Sequence, residues 1–211
     1  SSFLSVSSYS LPFVSIIIPC RNEEKFIERC LESILNQDYP KERMEILIID
    51  GMSDDKTREI IEAIRNRYSN INIRLIDNPK KFVPFALNIG VKESRGEIIV
   101  RCDAHSEYSK NYVSRLVYWL EKDKNIGSVG GIWINKPRYN NPKSKAIAFT
   151  LAHSFCVGPN KYRIGTQRPE EVDTVPFGAW RREIFDEIGL FNEKFLRTQD
   201  LEFNMRIKKA G

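Results

Sequence analysis

The amino-acid sequence predicts an α/β protein in which helices cover both faces of a mostly parallel central sheet. Short runs rich in isoleucine, leucine and valine recur along the first half of the chain, and they are nearly continuous rather than alternating. Segments with apolar residues at helical spacing separate these runs. Because strands that alternate with helices form βαβ units, this order favours a parallel sheet that is buried on both sides.

Two strand and helix pairs open the predicted domain. The first strand is expected at Val14–Ile18 (VSIII), a β-branched run that Pro19 ends. Apolar residues at helical spacing from Phe26 to Leu35 predict the helix after it. The run EILIID at 45–50 predicts a second buried strand, and Ser53 is placed to cap the helix that follows.

Two further pairs follow with the same rhythm. INIRLI (71–76) predicts a third strand, and residues 84–91 predict a helix that Gly96 terminates. EIIVRC (97–102) predicts a fourth strand, and residues 112–120 predict the helix after it. The first half of the chain therefore predicts four parallel strands with helices between them.

The regular alternation ends after GSVGGIWI at 127–134. A helix-like stretch is expected around KAIAFTLAHSF (145–155), and a short helix is expected near 181–188. The last predicted helix begins at about Asp200. We expect this second half of the chain to be less regular than the first and to face the substrate.

Composition limits the classes of function. The 211 residues carry a net charge of +5 from intermixed basic and acidic residues, which favours an anionic ligand or an acidic membrane surface without requiring nucleic acid. The four cysteines form no CxxC pair, so the pattern argues against a zinc ribbon and fits a cytosolic protein. No apolar run approaches the roughly 20 residues of a membrane span.

Polar side chains follow each of the four predicted strands. In open α/β sheets ligands bind at the carboxyl ends of the strands, so these side chains would line one rim of the sheet. They are Arg21, Asn22 and Glu23 after the first strand, Asp50, Ser53 and Asp54 after the second, Asp77 and Asn78 after the third, and Asp103 and His105 after the fourth. Their coincidence at one edge indicates a binding site.

The glycine-rich motifs that cradle phosphates are missing from the sequence. No GxGxxG follows the first strand and no GxxxxGK[ST] occurs, which argues against a dinucleotide site and a P-loop. Phosphates would then be neutralised in another way. A divalent cation held by Asp103 and His105 is the candidate, because a bent loop after the fourth strand can point both side chains at one ion.

Four blocks of the sequence resemble glycosyltransferase family 2, whose members have the GT-A fold. The blocks are VSIIIPCRNEEKFIERCLESILNQDYP, EILIIDGMSDDKT, ALNIGVKESRGEIIVRCDAH and TVPFGAWRREIFDEIGLFNEKFLRTQDLEFNMRIKKAG. Their order and spacing make the resemblance specific, and it covers residues 13–211. The strings DAH, FGAWRR and TQD are most similar to the succinoglycan-biosynthesis branch of the family.

The resemblance implies a nucleotide-sugar donor, usually linked to UDP, and inversion at the anomeric carbon. It places Asp50 at the carboxylate that reads the uracil edge and Asp200 at the general base of the family's ED motif. Asp103 and His105 stand at the DxD motif, which holds the metal. The nucleotide-binding residues predicted in all are Pro19, Asn22, Glu23, Asp50, Asn78, Asn88 and Asp103, and the acceptor-binding or sugar-binding residues are Gly178, Trp180 and Gln199.

Three positions depart from the family's pattern. Gly51 stands where many members have a second acid, and Gln199 replaces the glutamate of the ED motif. His105 replaces the second aspartate of the DxD motif. Since an imidazole suits a transition metal better than Mg²⁺, the expected divalent cofactor is Mn²⁺ rather than Mg²⁺.

Five of the candidate site residues also have a purely structural interpretation. Asp103 and His105 could cap a helix, and Asp200 could be the N-cap of the last helix. Asp50 could serve only as a turn former in DGMSD. Trp180 could stack on a sugar ring or pack in the core.

The expected function is that of an inverting, metal-dependent glycosyltransferase. It would move a sugar from a UDP-sugar to a hydroxyl of a glycan or lipid-linked acceptor in polysaccharide biosynthesis. The alternatives are a non-catalytic module that binds nucleotides or glycans, and a nucleotide-sugar pyrophosphorylase. The pyrophosphorylase would carry a glycine-rich and basic loop after the first strand, which PCRNEE is not. No nucleic-acid partner is expected, since no recognition motif or concentrated basic patch is found.

The expected organisation is a flexible tail at 1–12 and a single GT-A domain at 13–211. Within the domain, residues 13–105 form the nucleotide-binding half and residues 106–211 form the acceptor-binding half. We expect the natural chain to continue beyond Gly211. The protein is expected in the cytoplasm at the inner face of the cell membrane, through peripheral contact or a following membrane segment.

Overall fold

The structure is a computed structural model that describes residues 11–122, 126–130, 145–148, 178–196 and 199–210. The predictions for the tail at 1–10 and for the rest of the helix-like stretch after Ala148 lie outside the described residues.

The first half of the chain alternates strands and helices as the sequence predicts. Its elements are β1 (Val14–Cys20), α1 (Ile27–Leu35), β2 (Met44–Asp50), α2 (Thr57–Arg67), β3 (Asn72–Asp77), α3 (Val83–Glu93) and β4 (Ile98–Arg101). A 3₁₀ turn at Lys41–Arg43 precedes β2. The second half contains α4 (Tyr112–Lys122), β5 (Ile126–Gly130), β6 (Lys145–Ala148), β7 (Gly178–Arg181), α5 (Arg182–Ile188) and α6 (Gln199–Ala210).

The described strands form a single mixed sheet in the order β3-β2-β1-β4-β7-β5-β6. β1 pairs in parallel with β2 and β4, and β2 pairs in parallel with β3. β7 runs antiparallel between β4 and β5. The predicted α/β class with a mostly parallel sheet is therefore confirmed, and β7 is the strand that reverses direction.

Both faces of the sheet are buried, as the continuous apolar runs predict. Ile16 and Ile18 pack into one hydrophobic cluster with residues of α1, α2 and α4. Ile17 points to the opposite face and packs into a second cluster with residues of α3, α5 and α6. Successive strand residues point to opposite faces, so a strand between two helical layers must be apolar at almost every position.

Two predicted boundaries of the first half are wrong. β1 does not stop before Pro19 but continues to Cys20. The proline is tolerated because the pairing of β1 with β4 ends at Ile17, and Pro19 faces that unpaired side. Gly96 does not terminate α3, which ends at Glu93. Gly96 is needed instead for close packing on β1, because an added Cβ would lie 2.5 Å from Ser15 N.

Two further local predictions are wrong. Ser53 does not cap α2, which begins at Thr57. The Ser53 hydroxyl donates to the Asp50 carboxylate instead, and Asp55 Oδ1 accepts a 2.9 Å hydrogen bond from Thr57 N. KAIA at 145–148 is not helical but forms β6, which pairs in parallel with β5. Sheet pairing decides the state of this short apolar run, which periodicity alone cannot do.

The topology brings the carboxyl ends of β1 to β4 to one edge of the sheet, called here the carboxyl edge. Since Ala179 pairs with Val100 in the antiparallel register, the amino end of β7 at Gly178 reaches the same edge. Gly178 also pairs with Gly130 at the end of β5. The opposite edge, where β1 to β4 begin, is called the amino edge.

Candidate active site

A cavity of about 210 Å³ opens at the carboxyl edge. Its lining residues come from the end of β1 and the loop after it (Pro19, Cys20, Arg21, Glu23), from the segment that joins β3 to α3 and the first turn of that helix (Asn78, Lys81, Phe82, Val83, Ala86), and from the end of β4 and the loop after it (Arg101, Cys102, Asp103, His105). Three of the four strand ends that the sequence singles out, those of β1, β3 and β4, therefore surround one space. Pro19, Glu23, Asn78, Asp103 and His105 are the predicted site residues that line it.

Backbone strain is concentrated in the loops of this edge. Among the described residues, the non-glycine residues with positive φ are Asn22 (54°), Met52 (58°) and Lys81 (68°). They lie after β1, β2 and β3, one in each loop. A left-handed conformation is costly for a side chain with a Cβ, and such residues persist at sites where the surroundings fix the loop.

Hydrogen bonds tie the loop after β1 to the loop after β2. Asn22 N donates to Ser53 Oγ at 2.9 Å, and Asn22 Oδ1 accepts from Asp54 N at 3.0 Å. Glu23 N donates to Thr57 Oγ1 at 2.7 Å. Asn22 is therefore used to join the two loops, and its amide oxygen points to protein backbone. Of the residues in this network Glu23 lines the cavity, so these bonds hold one part of its lining in place.

Asp50 is placed at the end of β2 and its side chain is fully buried, at 0% exposure. One carboxylate oxygen, Oδ1, accepts from the Ser53 hydroxyl and from the Cys20 thiol, the latter at 3.6 Å. The other, Oδ2, accepts from Ser53 N at 3.0 Å and from Arg58 Nη1 at 2.7 Å. A base could reach this carboxylate only if Arg58 moved away.

Arg58 is a residue of this site that the sequence does not reveal. Its Nη1 also lies 2.8 Å from Asp77 Oδ1, so one guanidinium joins the acids at the ends of β2 and β3. The hydrogen bond to Asp50 is the main reason that the pKa of Arg58 is raised. In the sequence, Arg58 is only an arginine in the first turn of a predicted helix. That position does not show which groups its long side chain contacts.

Asn78 follows β3 and is 1% exposed. Its backbone N–H donates to Asp50 O at 2.7 Å and its side-chain NH₂ donates to Phe82 O at 3.0 Å. The side-chain oxygen Oδ1 is buried and has no hydrogen-bond partner among the described residues. A buried acceptor that lines a cavity and lacks a donor is a point where a ligand N–H or O–H would fit.

Asp103 and His105 form a close pair after β4. His105 Nδ1 lies 2.7 Å from Asp103 Oδ1, and Glu23 Oε1 lies 3.4 Å from the same nitrogen. The backbone of Asp103 is fixed at both ends, since its N–H donates to Tyr108 Oη at 2.6 Å and its carbonyl accepts from Cys30 Sγ at 3.3 Å. The Asp103 backbone is thus held in place, and both members of the pair line the cavity.

Burial shifts the ionisation of the acid and the thiol beside this pair. Burial raises the pKa of Glu23, and the nearby His105 opposes that shift. Burial also raises the pKa of the Cys20 thiol well above its usual range, and the neighbouring Asp50 carboxylate adds to the effect. Cys20 is therefore a protonated, weakly reactive part of the cavity wall at neutral pH.

The donor set fits a divalent cation that is shared with a bound ligand. One imidazole and one carboxylate are suited to Mn²⁺, and both side chains are partly exposed towards the cavity. Among the described residues, no group of three or more histidine, cysteine, aspartate or glutamate side chains is arranged to hold a metal ion. The described chain thus supplies part of a coordination shell, and ligand oxygens and water would complete it.

Asn88 does not lie at the cavity, contrary to the prediction that it binds nucleotide. It is 4% exposed on α3, and its amide is bonded to the backbone of Phe191 and to Glu193. Two residues apart on a helix do not share a face, so Asn88 points away from the cavity that Ala86 lines. The physical reason for the error is a long-range contact across more than a hundred residues of sequence.

The predicted acceptor-binding residues of the second half do not all lie at the carboxyl edge. Gly178 lies at the carboxyl edge, and an added Cβ there would be 3.1 Å from Val129 O. Trp180 is 2% exposed and lies edge-on to Phe185, Phe191 and Phe203, so the structure shows core packing and no face open to a sugar.

Gln199 and Asp200 are the first two residues of α6. Gln199 is buried, and its Oε1 has no hydrogen-bond partner among the described residues. The Asp200 side chain lies outside the described part of the structure. Its predicted role therefore rests on its place at the start of the helix and on the sequence match.

The described part of the chain contains no helix with the length and apolar character of a membrane span. This observation covers only the described residues.

The sequence matches the family model described as Glycosyl transferase family 2 over residues 15–189. A curated relative is the dolichyl N-acetyl-alpha-D-glucosaminyl phosphate 3-beta-D-2,3-diacetamido-2,3-dideoxy-beta-D-glucuronosyltransferase of Methanococcus voltae. It is 35% identical over 204 residues, which are 94% of this chain and 62% of that protein. The succinoglycan biosynthesis protein ExoA of Rhizobium meliloti is 30% identical, over 93% of this chain and 58% of its own length. The chain therefore spans less than two thirds of these relatives.

A solved structure with a similar fold is the mannosyltransferase PcManGT from Pyrobaculum calidifontis in complex with GDP-Man and Mn²⁺. The TM-score is 0.72 at 22% sequence identity, and the match covers 97% of this chain and 54% of that one. The likeness confirms the predicted GT-A fold. The match to ExoA confirms the predicted resemblance to the succinoglycan branch.

Proposed function

The chain belongs to glycosyl transferase family 2, and we propose that it moves a sugar from a nucleotide-sugar, a UDP-sugar in particular, to an acceptor hydroxyl with inversion. The observation that carries the proposal is the cavity at the carboxyl edge with the Asp103–His105 pair at its mouth. The loops after β1 and β3, which hold Asn22 and Lys81 at positive φ, contribute residues to its lining. A rigid, pre-formed site of this kind holds a donor in one orientation.

The diphosphate of the donor is proposed to lie beside Asp103 and His105. Arg21 and Lys81 also line the cavity and supply positive charge for phosphate oxygens. Asp103 and His105 would hold a divalent cation together with those oxygens, Mn²⁺ in preference to Mg²⁺. When bound, such an ion stabilises the negative charge on a departing diphosphate.

The transfer itself is proposed to use Asp200 as general base. The acceptor oxygen forms a bond to the anomeric carbon from the face opposite the leaving group. The bond from that carbon to the diphosphate oxygen breaks, and its electron pair leaves with the nucleotide. The hydroxyl proton passes to the Asp200 carboxylate, which needs to stand within hydrogen-bond reach of the acceptor.

The base of the nucleotide is proposed to bind at the edge formed by Asp50, Asn78 and Arg58. Asn78 Oδ1 is the buried acceptor without a partner among the described residues, so it suits a base N–H such as that of uracil. Asp50 can bind the base only if the base displaces Arg58, whose Nη1 lies 2.7 Å from the Asp50 carboxylate. UDP is thus proposed to bind more tightly than GDP or ADP.

The acceptor is proposed to be a glycan or lipid-linked hydroxyl, and the site of action to be the cytoplasmic face of the membrane. Support comes from the curated relative in Methanococcus voltae, whose name specifies a dolichyl phosphate-linked acceptor. Since the chain spans 62% of that relative, the acceptor belongs to the proposal for the whole protein.

The proposal can be tested with a panel of nucleotides and nucleotide-sugars in thermal unfolding, with and without Mn²⁺. A ligand that binds only the folded protein raises the midpoint by mass action. We expect the largest shift for UDP with Mn²⁺, and loss of the Mn²⁺-dependent part in His105→Ala. Glu107→Gln is the matched control, because it changes a charge in the same loop at a side chain that pairs outwards with Arg29.

Turnover separates an enzyme from a binding module. We expect the wild-type protein to release UDP from a UDP-sugar when a suitable acceptor is present, and Asp200→Asn to stop this release while UDP still binds. Equal thermal shifts for UDP, GDP and ADP would refute the proposal that the site prefers uracil to the other bases. Binding without any turnover by the wild-type protein would favour the non-catalytic module.

A further inference from the structure

The Asn88 side chain makes three hydrogen bonds, all of them to one short segment of the second half. Its Oδ1 accepts from Phe191 N at 2.9 Å, and its Nδ2 donates to Phe191 O at 2.9 Å. The same Nδ2 donates to Glu193 Oε1 at 3.0 Å. An asparagine amide offers one acceptor group and two N–H donors, and this geometry uses all of them. An aspartate could not make the two donor contacts.

The segment that Asn88 holds is the connection between α5 and α6. From the other side, Arg206 on α6 donates to Ile188 O at 2.6 Å and to Leu190 O at 2.5 Å. Glu202 fixes the Arg206 guanidinium through a 2.7 Å contact. The connection is therefore bonded to α3 on one side and to α6 on the other.

Apolar packing reinforces the same link. Phe191 is 3% exposed and stacks on Phe203 of α6 with ring centroids 4.4 Å apart. It also lies edge-on to Trp180 of β7 at 5.7 Å. The backbone that Asn88 binds is thus carried by a residue at the centre of the second hydrophobic cluster.

The two helices joined in this way carry the two parts of the proposed reaction. The amino end of α3 lines the donor cavity through Val83 and Ala86. The amino end of α6 carries Gln199 and Asp200. A movement of α6 relative to α3 would change the distance between the donor and the proposed base.

We propose that Asn88 is a positioning residue that fixes α6, and with it Asp200, relative to the donor cavity. The proposal rests on the proposed function above. An apolar side chain could fill this buried place on α3 without needing partners. A polar side chain whose bonds are all made fixes one arrangement of the connection, which is what a two-substrate reaction requires.

The test compares Asn88→Asp with the wild-type protein by kcat for transfer and by Kd for UDP with Mn²⁺. Asn88→Asp keeps the size and the acceptor for Phe191 N, but it loses both donor contacts and places a second carboxylate beside Glu193. We expect kcat to fall by about 10- to 100-fold, since a misplacement of roughly 1 Å is enough for such a loss. We expect Kd for UDP to stay within about twofold, because no contact in the cavity changes.

A second substitution provides the rescue. Glu193→Gln alone retains an acceptor for Asn88 Nδ2 and should behave like the wild-type protein. In the double variant Asn88→Asp/Glu193→Gln, the new amide can donate to the new carboxylate, so we expect part of the lost kcat to return. Because residues in contact also couple in stability, kcat is compared at a temperature at which urea unfolding shows all variants to be folded.

Arg206→Lys tests the same connection from α6 and serves if Asn88→Asp does not fold. It keeps the charge but cannot reach both carbonyl groups, so we expect a lower kcat with unchanged UDP binding. Wild-type kcat in both folded variants would overturn the inference. Parallel loss of UDP affinity in Asn88→Asp would also overturn it and would place Asn88 in the nucleotide site. Failure of the wild-type protein to bind or transfer would instead refute the proposed function.

Discussion

The carboxyl edge and the amino edge of the sheet both concentrate polar residues, and both border a cavity. At the amino edge, a groove of about 630 Å³ is lined by charged residues that include Arg181 and Arg182. Arg181 pairs with Glu121, and Arg182 donates to Gly96 O and Ser94 Oγ. The cavity at the carboxyl edge is smaller, about 210 Å³.

Beyond the volumes of their cavities, the two edges differ in backbone strain and in the kind of buried polar group that lacks a hydrogen-bond partner. At the amino edge, Glu45 is buried and its carboxylate is bonded to Ser15 and Arg95, whereas the buried donor Arg181 Nε has no partner among the described residues. At the carboxyl edge, each of three loops holds a non-glycine residue at positive φ, and the buried Asn78 Oδ1 lacks a partner among the described residues. Backbone strain together with a buried acceptor that lacks a donor supports the carboxyl edge as the proposed ligand-binding edge.

The largest effect is expected for Asp103→Asn at the carboxyl edge. Removal of the carboxylate charge should lower the transfer rate by on the order of 10²–10³-fold, if the residue holds the ion that stabilises the leaving diphosphate. The backbone of Asp103 is held by Tyr108 and Cys30, so folding should be little affected. Steady-state kinetics and urea unfolding check both parts. If Asp103→Asn instead lowered the free energy of unfolding enough to explain the lower transfer rate, the proposed contrast between the two edges would be wrong.

The opposite pattern is expected for Glu45→Ala at the amino edge. The substitution leaves the Ser15 hydroxyl and Arg95 N without their 2.6 Å and 2.7 Å acceptor contacts. We expect a loss of about 3 kcal/mol in the free energy of unfolding, because buried polar groups are left unpaired. Affinity for UDP should not change. Weaker UDP binding at a temperature where the variant is fully folded would contradict this account.

Two glycines give a matched pair across the edges. An added Cβ at Gly96 would lie 2.5 Å from Ser15 N, whereas one at Gly51 would lie 3.2 Å from both Arg21 Cβ and Lys81 O. Gly96→Ala should therefore cost about 1–3 kcal/mol of stability. Gly51→Ala should cost less than that, but it should weaken UDP binding because it displaces Arg21 at the cavity. Equal stability losses with unchanged UDP binding would remove the distinction.

The smallest effect concerns alkaline pH and the buried thiols of the carboxyl edge. Burial raises the pKa of Cys20 and Cys30 in the folded protein. Their contribution to stability is complete below the unfolded pKa of about 8.5 and declines as the pH rises towards the folded pKa. We expect each thiol to lower the free energy of unfolding by about 1 kcal/mol as the pH rises from 8.5 to 9.5. Urea unfolding of a Cys20→Ala/Cys30→Ala variant should show a shallower decline, and an equal decline would refute the assignment.

The parallel half of the fold was predictable because its signals are local. A strand between two helical layers must be apolar on both faces, and VSIII and EILIID are. The polar residues after each strand were found for the same reason, since chain order places them at the carboxyl edge. Asp103 and His105 lie as close together as their spacing suggests, with 2.7 Å between Oδ1 and Nδ1.

The residues whose contacts were wrongly predicted or missed have partners that lie far away along the chain or that only a folded side chain can reach. Asn88 is bonded to Phe191 and Glu193, and Arg58 folds back onto Asp50 and Asp77. Local periodicity carries no information on such contacts. KAIA was misread because four apolar or amphipathic residues fit a helix as well as a strand, and only pairing with β5 decides. The role of Asp200 remains a prediction, since its side chain lies outside the described residues.

The central claim is that the Asp103–His105 pair binds a divalent cation jointly with the diphosphate of the donor. The direct measurement is Mn²⁺ affinity by electron paramagnetic resonance, with and without UDP, in the wild-type protein and in His105→Ala. Because the described chain offers only part of a coordination shell, Mn²⁺ alone should bind weakly.

UDP should tighten Mn²⁺ binding by about tenfold or more, and Mn²⁺ should tighten UDP binding by the same factor, as linkage requires. His105→Ala should lose most of this coupling, whereas Glu107→Gln in the same loop should retain it. Mn²⁺ binding that is unaffected by UDP, or coupling that is unchanged in His105→Ala, would contradict the account.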